Sequence, residues 1–207
     1  MTPPDAADGE HSRLWLVRHG ATEWSASGRH TGRTDVPLSE AGRIQAHGLA
    51  RRLAGHEFAL VLTSPLERAR ETCRIAGFEK VARVEPNLRE WDYGAYEGRT
   101  TDDIRRKDPG WTIWSGRVPG GETINQVAAR AERVVDEVAR VDGDVALFAH
   151  GHVLRVLVTC WLGLRPDDGR LLALDTASVS ILDRERETRV VRSWNEAATL
   201  VEDPVDG

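Results

Sequence analysis

Two short apolar runs in this chain of 207 residues end alike. Leu14 to Val17 stops at Arg18-His19-Gly20, and Val145 to Ala149 stops at His150-Gly151-His152. A buried strand leaving its sheet ends abruptly in this way, and ligands of parallel α/β sheets bind beyond the carboxyl ends of strands. One histidine beside a glycine is usually a satisfied turn residue. Two at strand ends, with Arg18 abutting the first and Arg68 in the opening turn of a helix after a third strand, form a constellation. Guanidinium forks and helix N-termini seek anions, so these groups on one cleft would make a phosphate pocket. Glu90 and Asp92 lie two residues apart and share a face if their segment is extended. The plain reading of Glu90 is a solvated loop carboxylate. Position alone promotes the arginines. Of 28 basic residues only Lys80 and Lys107 are lysines, so an arginine as such carries little information.

The elements that must hold these residues alternate between strand-like and helix-like patterns, the mark of a layered α/β fold. Leu14–Val17, Ala59–Thr63, Val81–Val84 and Val145–Ala149 read as strands. Ser178–Leu182 and Arg189–Trp194 read as terminal strands in an antiparallel hairpin at an edge. Ser39 can cap a helix carrying Ala46, Leu49, Ala50 and Leu53 on one face. Ser64-Pro65-Leu66-Glu67 combines a capping serine, proline at the first helical position and glutamate three residues past the cap. The helix it predicts has Leu66, Ala69, Cys73 and Ala76 on its inner face. Thr123–Val141 is a further helix, with Val127, Ala131, Val134, Val135 and Val138 on one side, and Val153–Leu162 another. Residues 87–123 hold glycines, prolines, Trp91, Trp111 and Trp114 with one helical patch near Thr101–Lys107, the composition of a lid-like insertion. The expectation is a three-layer α/β/α sandwich with a mostly parallel central sheet, an antiparallel edge strand and this insertion. A single domain over residues 13–197 is flanked by flexible tails at 1–12 and 198–207.

Composition narrows the classes. Hydrophobic residues make up 40% and charged residues 29%, with a formal net charge of −5, the balance of a soluble globular protein. A net-acidic chain lacks the basic surface that displaces counterions from nucleic acid. The most apolar stretch, Val153–Leu164, is broken by Arg155 and is shorter than the roughly 20 residues that span a bilayer. The polar first residues lack a signal-peptide core, which makes the cytoplasm the expected setting. There Cys73 and Cys160 are expected to be buried, inert thiols.

The segments Leu16-Val17-Arg18-His19-Gly20-Ala21-Thr22-Glu23-Trp24, Ser64 to Thr72, Leu88 to Gly94 and Ala149-His150-Gly151-His152 together resemble the signatures of the histidine phosphatase superfamily, the phosphoglycerate-mutase-like fold. The four motifs stand in the family's order, and the likeness spans about Leu14 to Asn195. Residues 27–32 and 90–98 look most like the small acid phosphatases and the sedoheptulose-bisphosphatase-like branch.

The resemblance implies that a neutral His19 attacks phosphorus, forming a phosphohistidine. It implies that Arg18 and Arg68 clamp the phosphoryl group bidentately, with a protonated His150 and the Gly151 amide as further donors. Glu90 is the implied general acid, with a pKa raised by burial or nearby negative charge, and Asp92 is its neighbouring competitor. Ser25, Thr31, Gly32 and Tyr93 are carried over as substrate contacts. Many relatives have asparagine where this chain has Ser25. Serine loses the amide donor, and an ordinary loop serine is the rival reading. Trp24, Trp91, Trp111 and Trp114 could wall the pocket or wedge the insertion into place.

Three rivals stand beside a phosphatase of small phosphomonoesters. A bisphosphoglycerate-dependent mutase returns the phosphoryl group to another hydroxyl, but seals its site with longer insertions and tails than this chain has. A metal-dependent hydrolase could be read from His150-Gly151-His152 with His19 and Glu90, although Arg18 would repel a dication. A non-catalytic phosphate-binding module predicts a missing nucleophile or acid, and both positions are filled. The reading therefore requires no cofactor or metal. Its partner is a small phosphorylated metabolite, with no nucleic acid or membrane, and a homodimer is left open.

Overall fold

Strand β1 (Leu14–Arg18) pairs in parallel with β4 (Val145–Ala149), and Arg18 lies opposite Ala149. That register decides the architecture of the functional face, because both His-Gly turns leave the sheet at one level. The His19 N–H donates to the Ala149 carbonyl at 3.0 Å. Strand β2 (Leu60–Thr63) flanks β4 in parallel, and the Ser64 N–H donates to Phe148 just past its end. Three carboxyl ends thus open on one side.

The computed structural model describes residues 12–197. Along the chain β1 is followed by α1 (Glu23–Ala26), α2 (Glu40–Leu53), β2, α3 (Glu67–Ile75), β3 (Ala82–Val84), α4 (Thr101–Arg105) and α5 (Ile124–Val138). Then come β4, α6 (Gly151–Leu162), β5 (Ser178–Glu185) and β6 (Thr188–Ala197). The six strands are ordered β3-β2-β4-β1-β5-β6. The first four are mutually parallel, whereas β5 runs antiparallel to β1 and β6 to β5. The antiparallel edge is therefore a two-stranded hairpin. Expected tail residues 1–11 and 198–207 lie outside the described residues. Ser12 accepts a hydrogen bond from the Gly143 N–H.

Alternation along the strands loads both faces. Leu14, Leu16, Val145 and Leu147 join the apolar stripes of α5 and α6, while Val17, Ala146 and Phe148 pack against Leu49 and Leu53 of α2 and Cys73 of α3. Every residue of β4 is buried, as a strand covered by helices on both faces must be. Cys73 and Cys160 are unpaired. Burial pushes the Cys73 thiol up to about 12, and the half-buried Cys160 thiol to about 11.

Two helix starts differ from expectation, and the insertion takes one of its two expected forms. Helix α3 starts at Glu67, and Ser64 does not cap it. Its Glu67 N–H is taken instead by the Asp35 carboxylate at 2.7 Å, an anion placed where the helix dipole favours one. Helix α6 begins at Gly151, two residues earlier than its apolar pattern indicates, with His150 as N-cap. The segment 87–123 is wedged into the larger core through Leu88, Trp91, Tyr93, Ile104, Trp111 and Ile113. Its tryptophans explain the anchoring. The Trp91 indole donates to the Glu122 carbonyl and the Trp111 indole to that of Arg117.

The loop after β1 is seated on the start of α2 by close main-chain approach. A Cβ on Gly20 would stand 2.3 Å from the Gly42 carbonyl oxygen, and one on Gly42 would stand 2.0 Å from that of Ala21. Ser39 caps α2 by accepting from the Gly42 N–H, and its own N–H and hydroxyl both donate to Ala21. The carbonyl that orients His19 therefore sits on a loop held from two sides.

Candidate active site

A cleft of 410 Å³ opens beyond the carboxyl ends of β1 and β4. Arg18, His19, Glu90, Tyr93 and Gly151 line it. The His19 ring is buried, and its Nδ1 lies 2.7 Å from the Gly20 carbonyl oxygen. A carbonyl accepts only, so Nδ1 carries the proton and Nε2 holds a lone pair. Nε2 has no protein partner among the described residues. Burial, then Arg68 and Arg18, hold the imidazole well below its usual range of titration, so it is neutral. This is the state a nucleophile needs.

Arg18 ends β1 and donates through Nη1 to the Leu174 carbonyl. Its Nε–H is buried without a partner, a donor available to an anion. Gly151 makes room for it, since a Cβ there would approach the guanidinium carbon to 3.3 Å. Gly151 opens α6, and no described residue accepts from its N–H. A free amide at a helix N-terminus beside a guanidinium whose Nε–H is unpaired forms an oxyanion cradle.

Arg68 and His150 stand differently from the expectation. Both are fully buried and neither lines the cleft. Arg68 spends four of the five N–H donors of a guanidinium on the protein: Nε to His150 Nδ1, Nη1 to Thr34, and Nη2 to Thr31 and Gly32. One donor remains, so no bidentate clamp is available without breaking this network. His150 Nδ1 accepts from Arg68, which leaves the proton on Nε2, 2.7 Å from the Ser64 hydroxyl. Burial, with Arg68 beside it, holds this ring well below its usual range too. His150 is thus neutral in this structure rather than the expected cation. Its ring centre lies 5.1 Å from that of His19.

Glu90 is buried at the cleft wall and receives three main-chain amides. Oε1 accepts from Trp91 and Val153, and Oε2 accepts from His152 at 3.0 Å. Two of these amides belong to the first turn of α6, so the carboxylate caps the helix that presents Gly151. Asp92 is turned away and pairs with Arg33 at 2.9 Å.

The expected substrate contacts separate. Ser25 lines the cleft, but its hydroxyl closes a capping box with Thr22. Thr31 lines it also, with its hydroxyl donating to Arg29. Gly32 does not. Its N–H is bound by Glu97 at 2.8 Å, and it faces a neighbouring cavity. Tyr93 reaches the cleft with its hydroxyl 2.7 Å from His152 Nδ1. Of the four tryptophans weighed, only Trp114 lines the cleft, while Trp24 packs on Gly98.

The sequence reading missed Arg29, His30, Arg105, His152 and Arg155 as lining residues. Arg155 had left a signal, as the one charge inside the apolar run of α6. It lies 4.5 Å above the Trp114 ring. Among the described residues no three His, Cys, Asp or Glu side chains gather to hold a metal ion, and no helix is long and apolar enough to cross a membrane.

Three buried imidazoles, His19, His30 and His150, and the half-buried His152 give a pH signature. Burial lowers His30 to about 4 and, with Arg155 nearby, holds His152 well down, as it does His19 and His150. In the unfolded chain these groups titrate near 6.5. Below that value the unfolded chain binds more protons than the folded one, so stability is complete above it and falls on acidification. The ceiling is about 1.4 kcal/mol per pH unit for each histidine. Urea unfolding is expected to show a loss of several kcal/mol between pH 7 and pH 5, before carboxylates such as Glu71, held below its usual 4.5, begin to contribute. A flat profile over that window would mean that the folded cleft holds protonated histidines.

Fold and cleft together define a class, the α/β sandwiches that gather two histidines and two arginines beyond the ends of parallel strands. Residues 14–197 match the family model of the histidine phosphatase superfamily (branch 1), and the chain belongs to that family. An acid phosphatase of Mycobacterium tuberculosis is 41% identical over 182 residues, 86% of this chain and 89% of its own length. Sedoheptulose 1,7-bisphosphatase of Saccharomyces cerevisiae is 35% identical over 184 residues, 73% of this chain and 68% of its own. The solved structure of a functionally characterised open reading frame from Mycobacterium tuberculosis has a TM-score of 0.86 at 38% identity, covering 91% of this chain and 99% of that one. The protein is an enzyme of the phosphoric monoester hydrolase class.

Proposed function

We propose that the protein hydrolyses small phosphomonoesters, among them sugar phosphates or bisphosphates, through a phosphohistidine at His19. The observation that carries this reading is the tautomer of His19, with Nδ1–H on Gly20 and a free Nε2, in a cleft that Arg18, with its unpaired Nε–H, also lines. The Nε2 lone pair attacks phosphorus as the ester P–O bond breaks, and the leaving oxygen takes a proton from Glu90. The Gly20 carbonyl steadies the positive charge that the ring acquires. Glu90 then removes a proton from water as its oxygen attacks phosphorus, the P–N bond breaks, and inorganic phosphate leaves. Arg18 and the Gly151 amide neutralise the phosphoryl oxygens, which is the main requirement of this transition state. Arg68 acts chiefly by holding His150 and the carbonyls of the loop 31–34. The names of the acid phosphatase and bisphosphatase relatives support the substrate class. Residues 13–197 working as one domain and a cytoplasmic setting belong to the same reading, and unpaired thiols suit a reducing compartment.

A panel of sugar phosphates and bisphosphates, scored by kcat/KM for phosphate release after exhaustive chelation, is expected to show net hydrolysis. Phosphate moving between positions of phosphoglycerate faster than it is released would replace this reading with a mutase. Loss of activity restored by one metal would replace it with a metal-dependent hydrolase.

A further inference from the structure

His152 stands in the cleft wall with one nitrogen committed and the other open. Nδ1 lies 2.7 Å from the Tyr93 hydroxyl, and Tyr93 is 1% exposed with no other partner for that hydroxyl among the described residues. If Nδ1 carried the proton, the phenolic hydrogen would be buried without an acceptor, which costs about 1–3 kcal/mol. The pair is satisfied when the Tyr93 O–H donates, and the imidazole proton then sits on Nε2. Glu90 Oε2, 4.0 Å from Nδ1, is beyond hydrogen-bond reach. Among the described residues Nε2 has no protein partner, it is not one of the buried unpaired atoms, and it belongs to a residue that lines the cleft.

The surroundings indicate what this donor meets. In the proposed reaction the phosphoryl oxygens are served by Arg18 and Gly151, whereas His152 lies beside Glu90, the proposed proton donor to the departing alcohol. Its ring is flanked by Trp114 at 5.3 Å, Tyr93 at 5.9 Å and His30 at 6.2 Å between centres. Aromatic faces and a neutral N–H suit the C–H faces and hydroxyl oxygens of a polyol or sugar.

We propose that His152 is a specificity-determining residue whose Nε2–H donates to a hydroxyl oxygen of the substrate's alcohol portion, with Tyr93 as the positioning residue that fixes its tautomer. The inference rests on the phosphomonoesterase reading and names the part of the substrate that this wall selects.

The test compares kcat/KM for sorbitol 6-phosphate with that for p-nitrophenyl phosphate, whose leaving group offers no such hydroxyl. In His152→Phe, which keeps a ring and removes the N–H, the ratio is expected to fall tenfold or more, chiefly through KM for the polyol. His152→Gln, which restores a donor, is expected to recover part of it. Independently of turnover, 15N spectra are expected to show His152 as the Nε2–H tautomer in the unaltered enzyme and as a mixture in Tyr93→Phe. An unchanged ratio with normal hydrolysis, or an Nδ1–H tautomer in the unaltered enzyme, overturns the role of His152 alone. Failure of the unaltered enzyme to release phosphate from either ester overturns the phosphatase reading and this inference with it.

Discussion

His19→Ala is expected to lower kcat on the order of 10⁴-fold or more and to abolish covalent labelling from a 32P-phosphorylated substrate. The size follows from the step removed. Without Nε2, water must displace the ester directly, and the gain from splitting one displacement into two is lost. Arg18 and the Gly151 amide keep their free donors in the variant, so binding of inorganic phosphate should survive while turnover does not. The vacated space opens on the cleft, and added imidazole is expected to restore part of the activity as a diffusible nucleophile. Circular dichroism should report an intact fold, and acid stability should improve, because one imidazole that the fold keeps neutral is gone. Retained labelling would assign the nucleophile elsewhere. Loss of turnover in a protein whose unaltered form traps no acid-labile adduct would make His19 a base for water.

What the sequence carried and what it did not divide along one physical line. Strand ends are local patterns. The breaks at Arg18-His19-Gly20 and His150-Gly151-His152 were legible because apolar runs stop there, and the parallel register of β1 with β4 then brings them together. The face of α5 was equally legible from its valines. Side-chain partners are not local. Ser64 looks like a helix cap in any window, yet its hydroxyl meets a histidine 86 residues away. Arg68 reads as an anion ligand until the carbonyls of Thr31, Gly32 and Thr34 claim its fork. Gly32 reads as a free amide until Glu97 takes it. In each case the residue type states what it can bond to, and only the fold states which partner arrives first. The neutral state of His150 follows from the same circumstance. An Arg68 Nε–H aimed at its Nδ1 leaves no second site for a proton.

Glu90→Gln is expected to reduce kcat/KM for alkyl and sugar phosphates by about 10²- to 10⁴-fold, the usual worth of a positioned general acid. For p-nitrophenyl phosphate the loss should be far smaller, since its phenoxide leaves with little protonation. The geometry says which oxygen has room for the proton. Oε1 is filled by the amides of Trp91 and Val153, whereas among the described residues Oε2 accepts from His152 alone and keeps a lone pair for it. Glutamine at this position can keep its carbonyl on the first two amides, but its NH2 then faces the His152 N–H, donor against donor. The substitution therefore also loosens the first turn of α6 and with it the Gly151 amide, an effect that falls on every substrate alike. A loss confined to poor leaving groups isolates the acid, and a uniform loss assigns Glu90 to holding the helix. Both parts are expected, with the leaving-group-dependent part dominant. Its slope against leaving-group pKa separates them, because a displaced amide shifts the whole line while a missing proton tilts it.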